Sequence, residues 1–351
     1  MKESAKRITI KDVARLSGLS KGTVDRVLHN RGEVAKRSYD KVMKVVEELG
    51  YAPNMYASLL ATAKQHVIAV VLPEYGPSDF WSLSESGLIQ AEEAVGPLGV
   101  SIARISYDQY DLESFRSACR QVLESEPEGV VIAPMFKNET LNLTARLQER
   151  GIPYAFVDSK LEQDGYLAYF GTPMYKSGYL CADLLVNGQD VREAVIVRIE
   201  RDKLRQSDPT VTRRSGFLDY MAEHAPDCTI HNVFIRPNDP VHVQEILSSF
   251  FQAHPEVRHI VMFNSRIHLL VGFLEQHPVP GRRVIGFDNL SGNLAALRRG
   301  TVTMLIAQHP DRQIFQAVEA LSDSIVLKKA PTHRDNYMHM DILTRYNIED
   351  Y

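Results

Sequence analysis

The first fifty residues place apolar side chains at helical spacing in three short blocks. Ile10, Val13 and Ala14 share one face of a first helix, with Thr9 and Asp12 at capping-box spacing before it. Gly18, Leu19 and Ser20 break the pattern, because glycine tolerates a left-handed backbone and serine can cap the next helix. Val24, Val27 and Leu28 form the buried face of a second helix, which turns Lys21, Gly22, Asp25 and Arg26 outward. Tyr39, Val42, Val46 and Leu49 predict a third, stopped by Gly50.

From His66 onward the period changes. Runs with strand character, HVIAVVLP, VSIARIS, EGVVIAP, YAFVDS, EAVIVRI, HNVFI, RHIVMFN, RVIGFD and VTMLIAQ, recur roughly every thirty residues between amphipathic helical segments, as βαβ units require. Several are apolar throughout, the mark of parallel strands covered on both faces. So long a stretch of this pattern divides into two lobes rather than enlarging one core. The predicted fold is a small all-α helix-turn-helix headpiece followed by a two-lobed α/β body of parallel sheets flanked by helices. We place the headpiece at residues 1–53, a linker at 54–66 and the body at 67–351. The linker is unusual in being apolar, since Met55, Tyr56, Leu59 and Leu60 give a tether nothing to gain from water.

Composition alters this picture in one respect. With 44% hydrophobic and 24% charged residues the chain of 351 is ordinary, but its charge is divided. Residues 1–65 carry 13 Lys and Arg against 7 Asp and Glu, a net +6, while the remainder carries 27 against 37, a net −10. A basic head on an acidic body points to nucleic acid at one end. The opening residues have no apolar signal region and no run reaches membrane-spanning length, so a cytoplasmic, membrane-free location is expected. Cys119, Cys181 and Cys228 lack metal or redox spacing and read as buried small hydrophobes. The histidines, His333 and His339 included, form no metal motif and read as solvated, and no phosphate-cradling glycine loop follows any strand. The expectation is therefore no metal, no cofactor and no catalytic residue. The G-x-S-x-G match around Ser20 follows a helix rather than a strand, which excludes a nucleophile elbow.

TIKDVARLSGLSKGTVDRVL, followed by EELGYAPN, closely resembles the headpiece of the LacI (lactose-repressor) family over residues 8–64. The resemblance implies that Lys21, Gly22 and Arg26 read base edges in the major groove while Ser20 and Thr23 hold phosphates. It also implies that Leu60, with Ala57 beside it, wedges into the minor groove at the operator centre. Asp25 departs from the family's usual serine; a solvated partner for a nearby cation and an acceptor for cytosine both fit it. Ser58 and Ala61 stand where many members carry arginine.

From about residue 67 the chain resembles the type I periplasmic sugar-binding fold in its ribose-binding style. The resemblance implies an effector site built from Phe80, Trp81, Asp158, Arg213, Asn264, Asp288 and Gln308, although each of these types also ends strands as a turn former or cap. Ser159 and Ser265 depart from the family's arginine and aspartate. The implied protein is a homodimeric regulator binding a palindromic DNA operator under control of a small ligand, a monosaccharide or close relative. The alternatives are a solute-binding protein of a sugar transporter, and a sugar-acting α/β enzyme.

Overall fold

The computed structural model describes residues 9–28, 32–49, 65–200 and 209–349. The chain divides into two compact units, residues 1–64 and 65–351. Ala57, Leu60 and the rest of the apolar linker up to Lys64 lie outside the described residues.

In the first unit, α1 (Ile10–Ser17), α2 (Lys21–Leu28) and α3 (Lys36–Leu49) enclose Val13, Val24, Val27, Val42 and Val45. The Asp12 carboxylate accepts from both the backbone N–H (3.0 Å) and the hydroxyl (2.8 Å) of Thr9, which fixes the start of α1. Gly18 ends that helix in the left-handed region at φ 65°, where any Cβ would be strained. Ser20 Oγ then accepts from the Thr23 N–H at 3.1 Å and opens α2. The buried stripe of α3 runs through Val42 and Val45, with Val46 and Leu49 packed at its margin; Tyr39, expected inside, is exposed. Three short helices enclose too little volume for a large ring one turn up from Val42.

The second unit contains two six-stranded sheets. The first lobe holds β1 (His66–Pro73), β2 (Val100–Tyr107), β3 (Gly129–Ile132), β4 (Tyr154–Asp158) and β5 (Ala168–Gly171). The second holds β6 (Glu193–Ile199), β7 (Thr229–Ile235), β8 (His259–Val261), β9 (Arg283–Phe287) and β10 (Met304–Ala307). The two short strands β11 (Asp335–Tyr337) and β12 (Asp341–Leu343) complete the orders β11-β5-β4-β3-β1-β2 and β12-β10-β9-β8-β6-β7. All pairings are parallel except β10 with β12. The nine apolar runs read from the sequence are all strands.

Helices follow in chain order as α4 (Glu85–Val95), α5 (Leu112–Ser125), α6 (Lys137–Glu149), α7 (Met174–Val186), α8 (Pro209–His224), α9 (Pro240–Ala253), α10 (Val271–Gln276), α11 (Ser291–Arg299) and α12 (Pro310–Ser322). The chain crosses between lobes after β5, after β10 and after β11, because α12 returns to pack on the first sheet before β12 rejoins the second. Each sheet has a separate apolar cluster on either face, so each lobe is a covered parallel sheet. Among the cysteines only Cys181 is fully buried; Cys119 and Cys228 are half-buried.

The expectation of solvated histidines holds poorly. His66 is buried against Glu128 (2.7 Å), and His309 pairs with Asp341 at 2.8 Å. Both partners are distant in sequence, so neither pairing was visible there.

Candidate effector cleft and nucleic-acid interface

Strand β4 ends on an aspartate in the left-handed region, Asp158 at φ 65°, and β9 is followed directly by another, Asp288 at φ 67°. The reversal turns each carboxylate back over the C-terminal edge of its own sheet, where open parallel sheets bind ligands. Both are buried, at 7% and 1% exposure. Desolvation pushes Asp158 up to about 6 against the nearby Arg213 charge, and Asp288 up to about 7 against a Gln308 hydrogen bond and the same arginine.

Asp288 accepts from Gln308 Nε2 at 2.8 Å, and Gln308 Oε1 accepts in turn from Arg213. The Arg213 guanidinium also donates to Ser177 Oγ (2.8 Å) and to the Phe263 carbonyl, and lies 3.9 Å over the Phe287 ring. It enters the cleft on α8, which crosses α7 so closely that a Cβ on Gly178 would meet the Arg213 carbonyl at 1.7 Å. One on Gly216 would meet the Tyr175 carbonyl at 2.0 Å. The glycine of RRSGF therefore serves helix packing, and the packing aims the arginine.

On the facing side, Phe80 and Trp81 open a short 3-10 turn (Phe80–Ser84) after β1, their rings edge-to-face at 5.1 Å. Trp81 is 4% exposed and belongs to the first lobe's core as well as to the cleft wall. Asn264 Oδ1 accepts from the Arg266 N–H at 2.9 Å, shaping the turn after β8. All seven predicted residues, Phe80, Trp81, Asp158, Arg213, Asn264, Asp288 and Gln308, line one cavity of about 120 Å³ between the lobes. Its charged lining is completed by Asp79 and Arg266, which bond to each other across the lobes at 2.8 Å.

Sequence reasoning missed those two, and also Gln313 and Asn293. Gln313 on α12 accepts from the Asp158 N–H (2.9 Å) and donates to the Gln308 carbonyl (2.9 Å), joining the ends of β4 and β10. Asn293 on α11 is fully buried and ties the carbonyls of Ser265 (2.8 Å) and Asp288 (3.0 Å) together. Arg266 had a signal, a charged residue beside the predicted Asn264. Gln313 and Asn293 had none, since their partners lie on other segments.

In the headpiece, Ser20, Lys21, Gly22 and Arg26 are exposed and Thr23 half-exposed, on the face of α2 opposite Val24 and Val27. Ser20 Oγ and Thr23 Oγ1 are 2.9 Å apart, and Arg26 Nε donates to the Gly22 carbonyl at 3.3 Å. A Cβ on Gly22 would meet nothing nearer than Ser20 Oγ at 3.9 Å, so packing within the protein does not require glycine there. An exposed helical glycine with no internal cause suits close approach of the backbone to another molecule.

The geometry defines a helix-turn-helix unit carried with a two-lobed ligand-binding body. Residues 9–54 match the bacterial regulatory proteins of the lacI family, and residues 68–329 match the periplasmic binding protein domain. A crystal structure of a candidate LacI transcriptional regulator from Bacteroides fragilis is 33% identical, with TM-score 0.77, covering 82% of this chain and all of that one. The chain belongs to the lacI family of bacterial regulatory proteins, with a periplasmic-binding-protein body. Among curated relatives, the regulator DegA of Bacillus subtilis is 28% identical over 43% of this chain and 44% of its own length. The ribitol operon repressor of Klebsiella aerogenes is 30% identical over 44% of this chain and 55% of its own. The alignments thus span about half the length of these relatives. GanP, a glucose-galactose binding protein from Geobacillus stearothermophilus, shares the fold at 19% identity and TM-score 0.69, covering 82% of this chain and all of that one.

Proposed function

We propose that the chain is a transcriptional regulator that binds a pseudo-palindromic operator as a homodimer, its affinity set by a sugar-like effector in the interlobe cleft. The observation that carries this reading is the convergence of seven residues, scattered from Phe80 to Gln308, on one cleft between the lobes. Paired acceptors on Asp158 and Asp288, the amide of Asn264 and the aromatic ring of Trp81 suit a sugar ring that bears vicinal hydroxyls and an apolar C–H face.

Lys21, Gly22 and Arg26 then read base edges and Ser20 and Thr23 hold phosphates, with the α2 N-terminus adding its partial positive charge. Two copies supply the two half-sites because dyad symmetry in protein and DNA match. In the apolar linker Leu60 is the minor-groove wedge, with Ala57 beside it. Ser58 and Ala61 leave that wedge with weak phosphate support.

A thermal-shift screen of the full chain against sugars, sugar phosphates, nucleosides and amino acids tests the effector class. A sugar that stabilises the parent and fails on Asp288→Ala supports the reading; stabilisation by another class alone, or full stabilisation of the variant, overturns it. The solute-binding and enzyme readings account for the body and leave the basic headpiece without a role.

A further inference from the structure

At the end of the second sheet remote from the cleft, three residues far apart in sequence converge. Glu193 opens β6, His231 lies in the neighbouring edge strand β7, and His254 follows the last turn of α9. Among the described residues these are the one group of three whose ligating atoms all lie within 4.8 Å of one another. His231 Nε2 is 2.7 Å from Glu193 Oε2, and His254 Nδ1 is 3.8 Å from the same oxygen. A second carboxylate oxygen, Glu256 Oε1, is 3.7 Å from His254 Nδ1. The His254 nitrogen therefore faces two carboxylates, both beyond hydrogen-bond reach, which is a poor arrangement for a ring whose only task is to pack.

We propose that Glu193, His231 and His254 form a binding site for a borderline divalent transition-metal ion, with Zn²⁺ as the reference. Two imidazoles and a carboxylate are a donor set such ions prefer, and hard Mg²⁺ or Ca²⁺ do not. Tetrahedral bonds of about 2.0–2.1 Å put ligand atoms about 3.3 Å apart. The observed 2.7 and 3.8 Å bracket that value, and no two of the three ligand atoms are more than 4.8 Å apart. The site is accessible, with side chains 18 to 35% exposed, and Phe250 lines it against both rings (5.5 and 4.9 Å). The fourth position falls to Glu256 or to water. A bound ion would tie β6, the edge strand β7 and the end of α9 together, since it binds the folded arrangement and not the separated segments.

The inference is independent of the effector cleft. The test is calorimetric titration of the EDTA-treated full chain with ZnCl₂, together with the visible absorption of added Co²⁺. One Zn²⁺ binds, Mg²⁺ does not compete, and Zn²⁺ bleaches a Co²⁺ spectrum of low coordination number. Affinity falls at least about tenfold in His254→Ala and in Glu193→Gln, while His224→Ala, a histidine elsewhere on the surface, keeps it. His254 lies past the helix on a half-exposed surface, so its variant decides the matter if Glu193→Gln folds poorly. No binding by the parent chain, or binding unchanged in His254→Ala, overturns the proposal. Sugar-induced stabilisation is a separate readout, expected to survive in His254→Ala.

Discussion

Arg266 of the second lobe donates to the Asp79 carboxylate of the first at 2.8 Å, across the mouth of the cleft. With side chains 20% and 31% exposed, the pair is partly screened and contributes on the order of 1 kcal/mol or less. A pair of that strength is expected to act as a weak latch between the lobes. In a double-mutant cycle with Asp79→Asn and Arg266→Ala, the coupling in effector affinity should be up to about fivefold. The chain's single tryptophan, Trp81, lies in the cleft wall and supplies the fluorescence signal. A coupling near zero would show that the pair does not help close the lobes.

Asp158 and Asp288 make stability depend on pH in an inverted sense. Their folded values, about 6 and about 7, lie above the ordinary carboxylate value of 3.8. Between about pH 4 and 7 the folded chain holds protons that the unfolded chain has released, so their contribution to stability falls as pH rises and its loss is complete above pH 7. Asp288→Asn removes part of that penalty. Its melting temperature should exceed the parent's by more at pH 8 than at pH 5, while effector affinity drops at least about tenfold. Equal differences at the two pH values would contradict the burial argument.

Gly22→Ala should leave the headpiece as stable or up to about 1 kcal/mol more stable, since helix propensity improves and nothing is displaced. Operator affinity by fluorescence anisotropy should nevertheless fall, and Arg26→Ala should cost about 1–3 kcal/mol at fixed salt. Unchanged DNA binding in both would mean that α2 is not the reading helix.

Gly178→Ala forces a Cβ onto the Arg213 carbonyl and must separate α7 from α8. We expect destabilisation of at least about 1–3 kcal/mol by thermal or urea unfolding. Effector binding should weaken as well, because Arg213 rides on α8 and supports Gln308 against Asp288.

The elements legible in the sequence are those whose signal is local. Apolar runs such as HVIAVVLP are strands because two covered faces leave no polar alternation to confuse them. The strands that escaped are β5, of four residues, and β11 and β12, of three with polar Asp335, Asn336 and Asp341 among them, so no apolar run marks the last two. The candidate site residues came from the resemblance to the sugar-binding fold, because a polar residue at a strand end, such as Asp158 or Gln308, is locally no different from a turn former or cap. The network that holds them, Gln313 to Asp158 and Asn293 to Asp288, depends on chain crossings between lobes that no local pattern records. Donors of Arg213 go to Ser177, Phe263 and Gln308, so its part in the site includes positioning Gln308. Likewise Glu193, His231 and His254 meet only through sheet pairing and the end of α9.

The central claim is that cleft and operator are coupled, and the direct measurement is operator affinity of the full chain with and without the sugar that stabilises it. The account predicts a change of roughly 5- to 150-fold, corresponding to a coupling of about 1–3 kcal/mol, absent in Asp288→Asn. Operator affinity unmoved by a sugar that demonstrably binds, or moved equally in Asp288→Asn, would contradict it.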